Sequence, residues 1–117
     1  LLRRWPEKQK MQVIIMTVKV DEENFMYEVI ESPLPVLVEF YALWCGKCAM
    51  MEDVVTEFAA ENEDRIKVCQ IDSDRSGNLA EKFGVKKVPT FVAFREGKPV
   101  RSATGVLTGK ALGKLFE

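Results

Sequence analysis

The chain carries the stretch WCGKC at residues 44–48, directly after the apolar run VLVEFYAL at residues 36–43. An almost continuous apolar run of this length predicts a central strand that is covered on both faces. The apolar residues after the cysteines recur at helical spacing, so the two cysteines stand at a strand-to-helix turn. Cysteines three residues apart on a first helical turn share one side of the helix and can form one reversible disulfide.

The positive end of a helix macrodipole favours the thiolate of the first cysteine, which is the form that attacks another disulfide. We therefore interpret Cys45 as the attacking thiol and Cys48 as the resolving thiol. Cys69 lies within an apolar strand and is interpreted as inert core packing. Because the chain has three cysteines and no histidine, we predict no zinc site and no Cys–His catalysis.

Length and charge narrow the class of protein further. A chain of 117 residues predicts one domain with a core that needs no structural disulfides. A net charge of −1 predicts no general attraction to nucleic acid or to anionic membranes. No apolar run approaches the ~18 residues of a membrane span, and residues 13–18 are too short for a signal-peptide core. We expect a cytoplasmic monomer.

The pattern along the chain predicts the order β-α-β-α-β-α-β-β-α. Residues 1–11 are predicted to be a poorly ordered extension, and residues 12–117 the domain. A first strand is expected within Gln12–Val20, and Asp21 is expected to cap a helix over Glu22–Glu31. The apolar face of that helix is predicted to contain Phe25, Met26, Val29 and Ile30. Further strands are predicted at residues 36–43, 66–71, 88–94 and 99–104, with helices that end near Asn62 and Gly84 and a last helix capped by Thr108.

This order, with Cys-x-x-Cys at the start of the second helix, resembles the thioredoxin family. The likeness covers about Met16 to Phe116 and rests on motifs spread along the chain. They are Trp44-Cys45-Gly46-x-Cys48, Asp72-x-Asp74, Phe83-Gly84-Val85, Val88-Pro89-Thr90, Glu96-Gly97 and Gly105. The resemblance implies an α/β thioredoxin fold, with a mixed five-stranded sheet flanked by four helices, and protein dithiol–disulfide exchange.

The resemblance also assigns roles to single residues. Glu39 takes the position of the family's buried aspartate, which moves a proton to and from the resolving cysteine. The lysine that usually accompanies that aspartate aligns with Gln70, so Glu39 is expected to be protonated more often. An X–Pro bond is usually trans, whereas the resemblance implies a cis bond before Pro89. The groove implied for substrates comprises Trp44, Gly46, Lys47, Val88, Pro89, Thr104 and Gly105.

Three positions depart from the common family pattern. Lys47 replaces a proline, and its charge should favour the Cys45 thiolate and make the pair somewhat more oxidising. Asp53 replaces a helix proline, so the second helix is expected to be less kinked. Ala49 replaces a frequent lysine without removing any chemistry.

Several functions remain compatible with these residues. The first is a protein disulfide reductase that binds no cofactor and, by resemblance, receives electrons from a thioredoxin reductase. The second is a more oxidising thiol oxidant or isomerase. A third is a thioredoxin-fold binding module in which redox chemistry is incidental, and a fourth is an iron–sulfur cluster bridged between two chains.

Overall fold

The computed structural model describes residues 6–7 and 16–117, and within residues 16–117 the chain forms five strands and four helices. The strands are β1 (Thr17–Val20), β2 (Val36–Tyr41), β3 (Lys67–Asp72), β4 (Thr90–Arg95) and β5 (Lys98–Thr104). The helices are α1 (Met26–Ile30), α2 (Gly46–Glu61), α3 (Gly77–Lys82) and α4 (Gly109–Lys114). β1 lies inside the predicted first-strand region, of which residues 12–15 lie outside the described part. Of the predicted extension, the structure describes Pro6 and Glu7 alone.

The strands form one mixed sheet in the order β1-β3-β2-β4-β5. β1, β3 and β2 are mutually parallel, because helical crossovers connect them, whereas β4 and β5 form an antiparallel hairpin. The central strand β2 is buried along its length, as its apolar sequence predicts. The predicted α/β fold with a five-stranded mixed sheet is confirmed.

Side chains of β2 alternate between two apolar layers. Val36, Val38 and Phe40 belong to a cluster with buried residues of α1 and α3. Leu37 belongs to the opposite cluster, with buried residues of α2 and α4. Since Glu39 is two residues from Leu37, it lies on the same face of the sheet as α2. This alternation places a carboxyl group beneath the helix that carries the two cysteines.

The first helix differs from its prediction. α1 is a single π-helical turn that begins after Phe25, and no side chain caps it. Asp21, which was predicted to cap the helix, instead accepts bonds from the N–H groups of Glu23 at 2.9 Å and Asn24 at 3.2 Å in the turn before α1. Met26 is 57% exposed, so its predicted place on the apolar face is wrong. The wider π turn is closed by the Glu31 N–H donating to the Met26 carbonyl, and side chains four apart no longer align along it.

The predicted ends of several elements are close to those observed. β2 ends at Tyr41 rather than Leu43, and β4 begins at Thr90 because Pro89 has no N–H to donate to a ladder. α2 runs without interruption from Gly46 to Glu61, past Asp53. The Thr108 hydroxyl accepts the Ala111 N–H at 3.1 Å and so caps α4 as predicted.

The β4–β5 turn packs against the end of α1 through Gly97. Its φ is +77°, and a Cβ added there would lie 2.9 Å from the Ile30 carbonyl oxygen. We expect Gly97→Ala to lower the free energy of unfolding by about 1–3 kcal/mol, measured by urea denaturation. The matched control is Gly109→Ala in α4, where a Cβ meets nothing within 4 Å; it should be neutral or stabilising. Equal effects of the two substitutions would contradict this account of Gly97.

Candidate active site

Cys45 is the N-cap residue of α2. Its backbone is extended, with φ −90° and ψ 113°, and its sulfur accepts the N–H of Cys48 at 3.1 Å. The sulfur therefore does what a serine or aspartate oxygen does at other N-caps, and satisfies a backbone donor that the helix leaves unpaired. A thiolate accepts such a bond more strongly than a thiol does. The start of α2 thus offers a negative charge on Cys45 both a hydrogen bond and the positive end of the helix.

Cys48 lies in the first turn of α2 and is as well buried as Cys45, with 9% and 8% exposed respectively. Burial raises the pKa of Cys48 to about 12, and the contact with Cys45 acts in the same direction. The charge of Glu39 also raises this pKa, while a backbone hydrogen bond with Ala42 lowers it. Cys48 therefore holds its proton at neutral pH until a base removes it.

Glu39 is the buried carboxyl group of the central strand, with 2% of its surface exposed. Desolvation raises its pKa above the usual range, in the direction expected from the sequence. A hydrogen bond from Gln70 Nε2 to Glu39 Oε1, 2.9 Å long, lowers the pKa, as does the charge of Lys19. Glu52 on α2 raises it. The carboxyl group is therefore neither isolated nor directly paired with a cation.

The segment before β4 lies against Cys45, and the end of β5 lies against that segment. The Val88–Pro89 peptide bond is cis, as the resemblance implied and contrary to the usual preference. The Cys45 thiol donates to the Val88 carbonyl at 3.6 Å, and the Gly105 N–H donates to the Pro89 carbonyl at 2.9 Å. The hydroxyl groups of Thr90 and Thr104 are 3.0 Å apart. The hairpin thereby brings together the predicted groove residues that precede β4 with those at the end of β5.

The turn before α2 is exposed, in contrast to the buried cysteines. Trp44 is 73% exposed, and its indole N–H donates to Asp74 Oδ2 at 2.7 Å. A Cβ added at Gly46 would meet nothing within 4 Å, so the space above this residue is open. Lys47 is exposed on the first turn of α2. An extended chain can therefore approach the turn without displacing core side chains.

Two residues of this region were not assigned a role from the sequence. The sequence motif contains Asp74 but does not reveal its bond to Trp44. Lys19 gave no signal, because its contact with Gln70 depends on how β1 pairs with β3. Cys69, in contrast, is fully buried, and burial raises its pKa to about 12, in agreement with an inert core thiol.

Metal-binding clusters and membrane-spanning helices are absent from residues 6–7 and 16–117. No group of three or more histidine, cysteine, aspartate or glutamate side chains in that part of the chain is arranged to hold a metal ion. In the same residues, no helix has the length and apolar character that crossing a membrane requires.

A mixed sheet of this order, with a Cys-x-x-Cys turn at the start of α2, defines the thioredoxin-fold thiol–disulfide oxidoreductases. The sequence model of the family described as Thioredoxin matches residues 16–117. The chain belongs to the thioredoxin family.

Curated relatives agree with this assignment. "Thioredoxin 1" of Synechococcus elongatus is 35% identical over 98 residues, covering 84% of this chain and 92% of the relative. "Thioredoxin M5, chloroplastic" of rice is 36% identical over 109 residues, covering 93% of this chain and 63% of the relative. "Bifunctional thioredoxin reductase/thioredoxin" of Mycobacterium leprae is 38% identical over 96 residues, covering 82% of this chain and 21% of the relative. These names favour a protein disulfide reductase over the oxidant, isomerase and binding-module alternatives.

The chain is therefore a protein-disulfide oxidoreductase that works by dithiol–disulfide exchange. Exchange of this kind uses the thiols of the protein itself and no bound cofactor. The expected compartment is not fixed by the relatives, since one is cyanobacterial and another is chloroplastic by name.

The different environments of the three thiols predict different reactivity. After reduction, brief treatment with iodoacetamide at pH 7 should add one alkyl group, at Cys45. The raised pKa values of Cys48 and Cys69, both about 12, keep those thiols protonated and slow to react. Mass spectrometry of peptides from the treated protein locates the adduct. A first adduct on Cys48 or Cys69 would contradict the assignment.

Proposed function

We propose that Cys45 is the attacking thiol and Cys48 the resolving thiol of a protein disulfide reductase. The observation that carries this proposal is the position of the Cys45 sulfur. It lies between the Cys48 N–H, which supports a negative charge, and the Val88 carbonyl, which borders the groove. A thiolate at this position is adjacent to a substrate chain that lies along the groove.

In the first step, the Cys45 thiolate attacks one sulfur of a substrate disulfide. A bond forms between that sulfur and Cys45, the substrate S–S bond breaks, and the second substrate sulfur leaves as a thiolate. In the next step, Glu39 in its carboxylate form accepts the proton of Cys48. The Cys48 sulfur then attacks Cys45, and the first substrate sulfur leaves as a thiolate. Two electrons pass to the substrate, and Cys45 and Cys48 end as a disulfide.

The groove next to this turn is proposed to hold the substrate as an extended strand. Val88 offers backbone groups beside Cys45, and the bonds between Gly105 and Pro89 and between Thr104 and Thr90 support that edge. Main-chain pairing of this kind is tolerant of sequence, which suits a reductase with many protein substrates. Trp44, Gly46 and Lys47 line the opposite side.

Several wider features are proposed with this activity. A thioredoxin reductase returns two electrons to the Cys45–Cys48 disulfide; the relative from Mycobacterium leprae, whose name joins the two activities, supports such a partner. The working form is a monomer that acts on proteins rather than on nucleic acid or membranes. Its compartment is reducing and is proposed to be the cytoplasm. The catalytic domain spans residues 12–117, and the family match from residue 16 supports most of this range.

Reduction of insulin disulfides tests the roles of the cysteines. We expect Cys45→Ser to abolish activity, because the attacking sulfur is lost. Cys48→Ser should instead accumulate a mixed disulfide between Cys45 and the substrate, detectable by non-reducing electrophoresis. The control Cys69→Ala should retain activity, since Cys69 lies in the core on the other face. Activity of Cys45→Ser above the rate without protein would overturn the proposal.

Lys47 is proposed to make the pair somewhat more oxidising, because a cation near Cys45 stabilises the reduced thiolate. We expect Lys47→Pro to lower the reduction potential by tens of millivolts, given that ~30 mV corresponds to ~1.4 kcal/mol. Equilibration in dithiothreitol buffers, read by Trp44 fluorescence, measures this potential. Lys47→Ala separates the charge from the stiffness of proline and should shift the potential in the same direction. An unchanged potential in both variants would refute a role for the charge.

A further inference from the structure

Three polar side chains form a row across one face of the sheet. The parallel register of β1 and β3 pairs Lys19 with Gln70, and that of β3 and β2 pairs Gln70 with Glu39. β1 is an edge strand and β2 the central strand, so the row runs from solvent to the buried carboxyl group. On the far side, Glu39 pairs with Phe91 of β4, which is fully buried.

Hydrogen bonds connect the members of this row. Lys19 Nζ donates to Gln70 Oε1 at 2.9 Å, and Gln70 Nε2 donates to Glu39 Oε1 at 2.9 Å. The amide dipole thus has its oxygen toward the ammonium group and its N–H toward the carboxyl group. An ammonium group at one end polarises the amide and strengthens the bond that its other end donates.

Lys19 is exposed, yet its ammonium group has a second partner that holds it over the row. It lies 4.8 Å from the centre of the Tyr41 ring, within the range of a cation–π contact. Tyr41 is the last residue of β2, two positions beyond Glu39 on the same face. Both contacts keep the charge of Lys19 close to Gln70.

The groups that act on Glu39 come from β1, β3 and α2, and the fourth neighbour, β4, offers the apolar Phe91. Burial disfavours its charged form most strongly, and Glu52 of α2 acts in the same direction. Gln70 of β3 and Lys19 of β1 favour the charged form. Glu39 in turn raises the pKa values of Cys48 and of Tyr41. Lys19 is therefore the cation that opposes desolvation of the carboxyl group.

We propose that Lys19 and Gln70 are positioning residues that hold Glu39 partly ionised, so that a carboxylate is present to accept the proton of Cys48 near neutral pH. The effect on Cys48 rests on the proposed role of Glu39. The effect of Lys19 and Gln70 on the ionisation of Glu39 does not depend on that role. The charge that supports the buried carboxylate comes from the edge strand, through an amide, rather than from a buried lysine.

The test is the pH at which Glu39 is half ionised, followed by the NMR chemical shift of its labelled side-chain carboxyl carbon. We expect Lys19→Met to move this midpoint up by about half a pH unit, as loss of a partly screened charge does. Lys19→Arg keeps the charge and should restore most of the wild-type midpoint. The matched control is Lys98→Met, the same change at an exposed position of β5, the opposite edge strand. This control should leave the midpoint of Glu39 unchanged.

Gln70→Met removes the donor to Glu39 and should raise the midpoint further, by about one pH unit. In that background, Lys19→Met should have a smaller effect than in the wild type, because the amide no longer transmits the charge. Should Gln70→Met fail to fold, the Lys19 variants, at an exposed edge position, still decide the question. A midpoint that is unchanged in Lys19→Met, or equally shifted in Lys98→Met, would overturn the proposal.

The pH dependence of insulin reduction separates this inference from the proposed function. If Glu39 accepts the proton of Cys48, Lys19→Met lowers the rate at pH values near and below the wild-type midpoint of Glu39, and the rate recovers as the pH rises above the shifted midpoint. If Glu39→Gln has the wild-type pH profile, the proton role of Glu39 is wrong. The NMR midpoints then still decide whether Lys19 and Gln70 control its ionisation.

Discussion

Burial of β2 on both faces is the constraint on which the rest of the structure depends. A strand covered on two sides needs helices from both halves of the chain, and it aligns β3 and β4 on its two edges. It also fixes where the next helix begins, because the chain must leave the sheet after Tyr41. The cysteines lie at that exit, so the position of the reactive turn follows from the packing of the core.

The two cysteines differ in chemistry although they are three residues apart. Cys45 caps α2 and accepts a backbone N–H, a contact that suits a negative charge. Cys48 lies inside the first turn, where burial and its neighbour's sulfur hold the proton on its own sulfur. A single helix start thus gives the proposed attacking thiol and the proposed resolving thiol different environments. The proposed mechanism requires a base near Cys48, and Glu39 is the buried carboxyl group on the facing side of the sheet.

A carboxyl group in that position stabilises the fold least when it is charged, since desolvation opposes ionisation. The chain offsets this with polar groups from two strands rather than with one buried ion pair. Gln70 contributes the direct hydrogen bond, and Lys19 contributes charge from an edge where it stays hydrated. An arrangement of this kind avoids the cost of burying an ammonium group and leaves the ionisation of Glu39 adjustable.

The sequence by itself determined the elements, the reactive turn and the family, because apolar periodicity, helix caps and the cysteine spacing are local properties of the chain. The cap at Thr108 and the buried state of Cys69 follow from such local patterns. Only the tertiary structure decided the contacts of Lys19, Gln70 and Glu39. Gln70 is 51 positions from Lys19 and 31 positions from Glu39 along the chain, and strand register brings the three together. The π turn of α1 likewise departs from the residue periodicity, since it exposes Met26 while Phe25 and Val29 pack in the core.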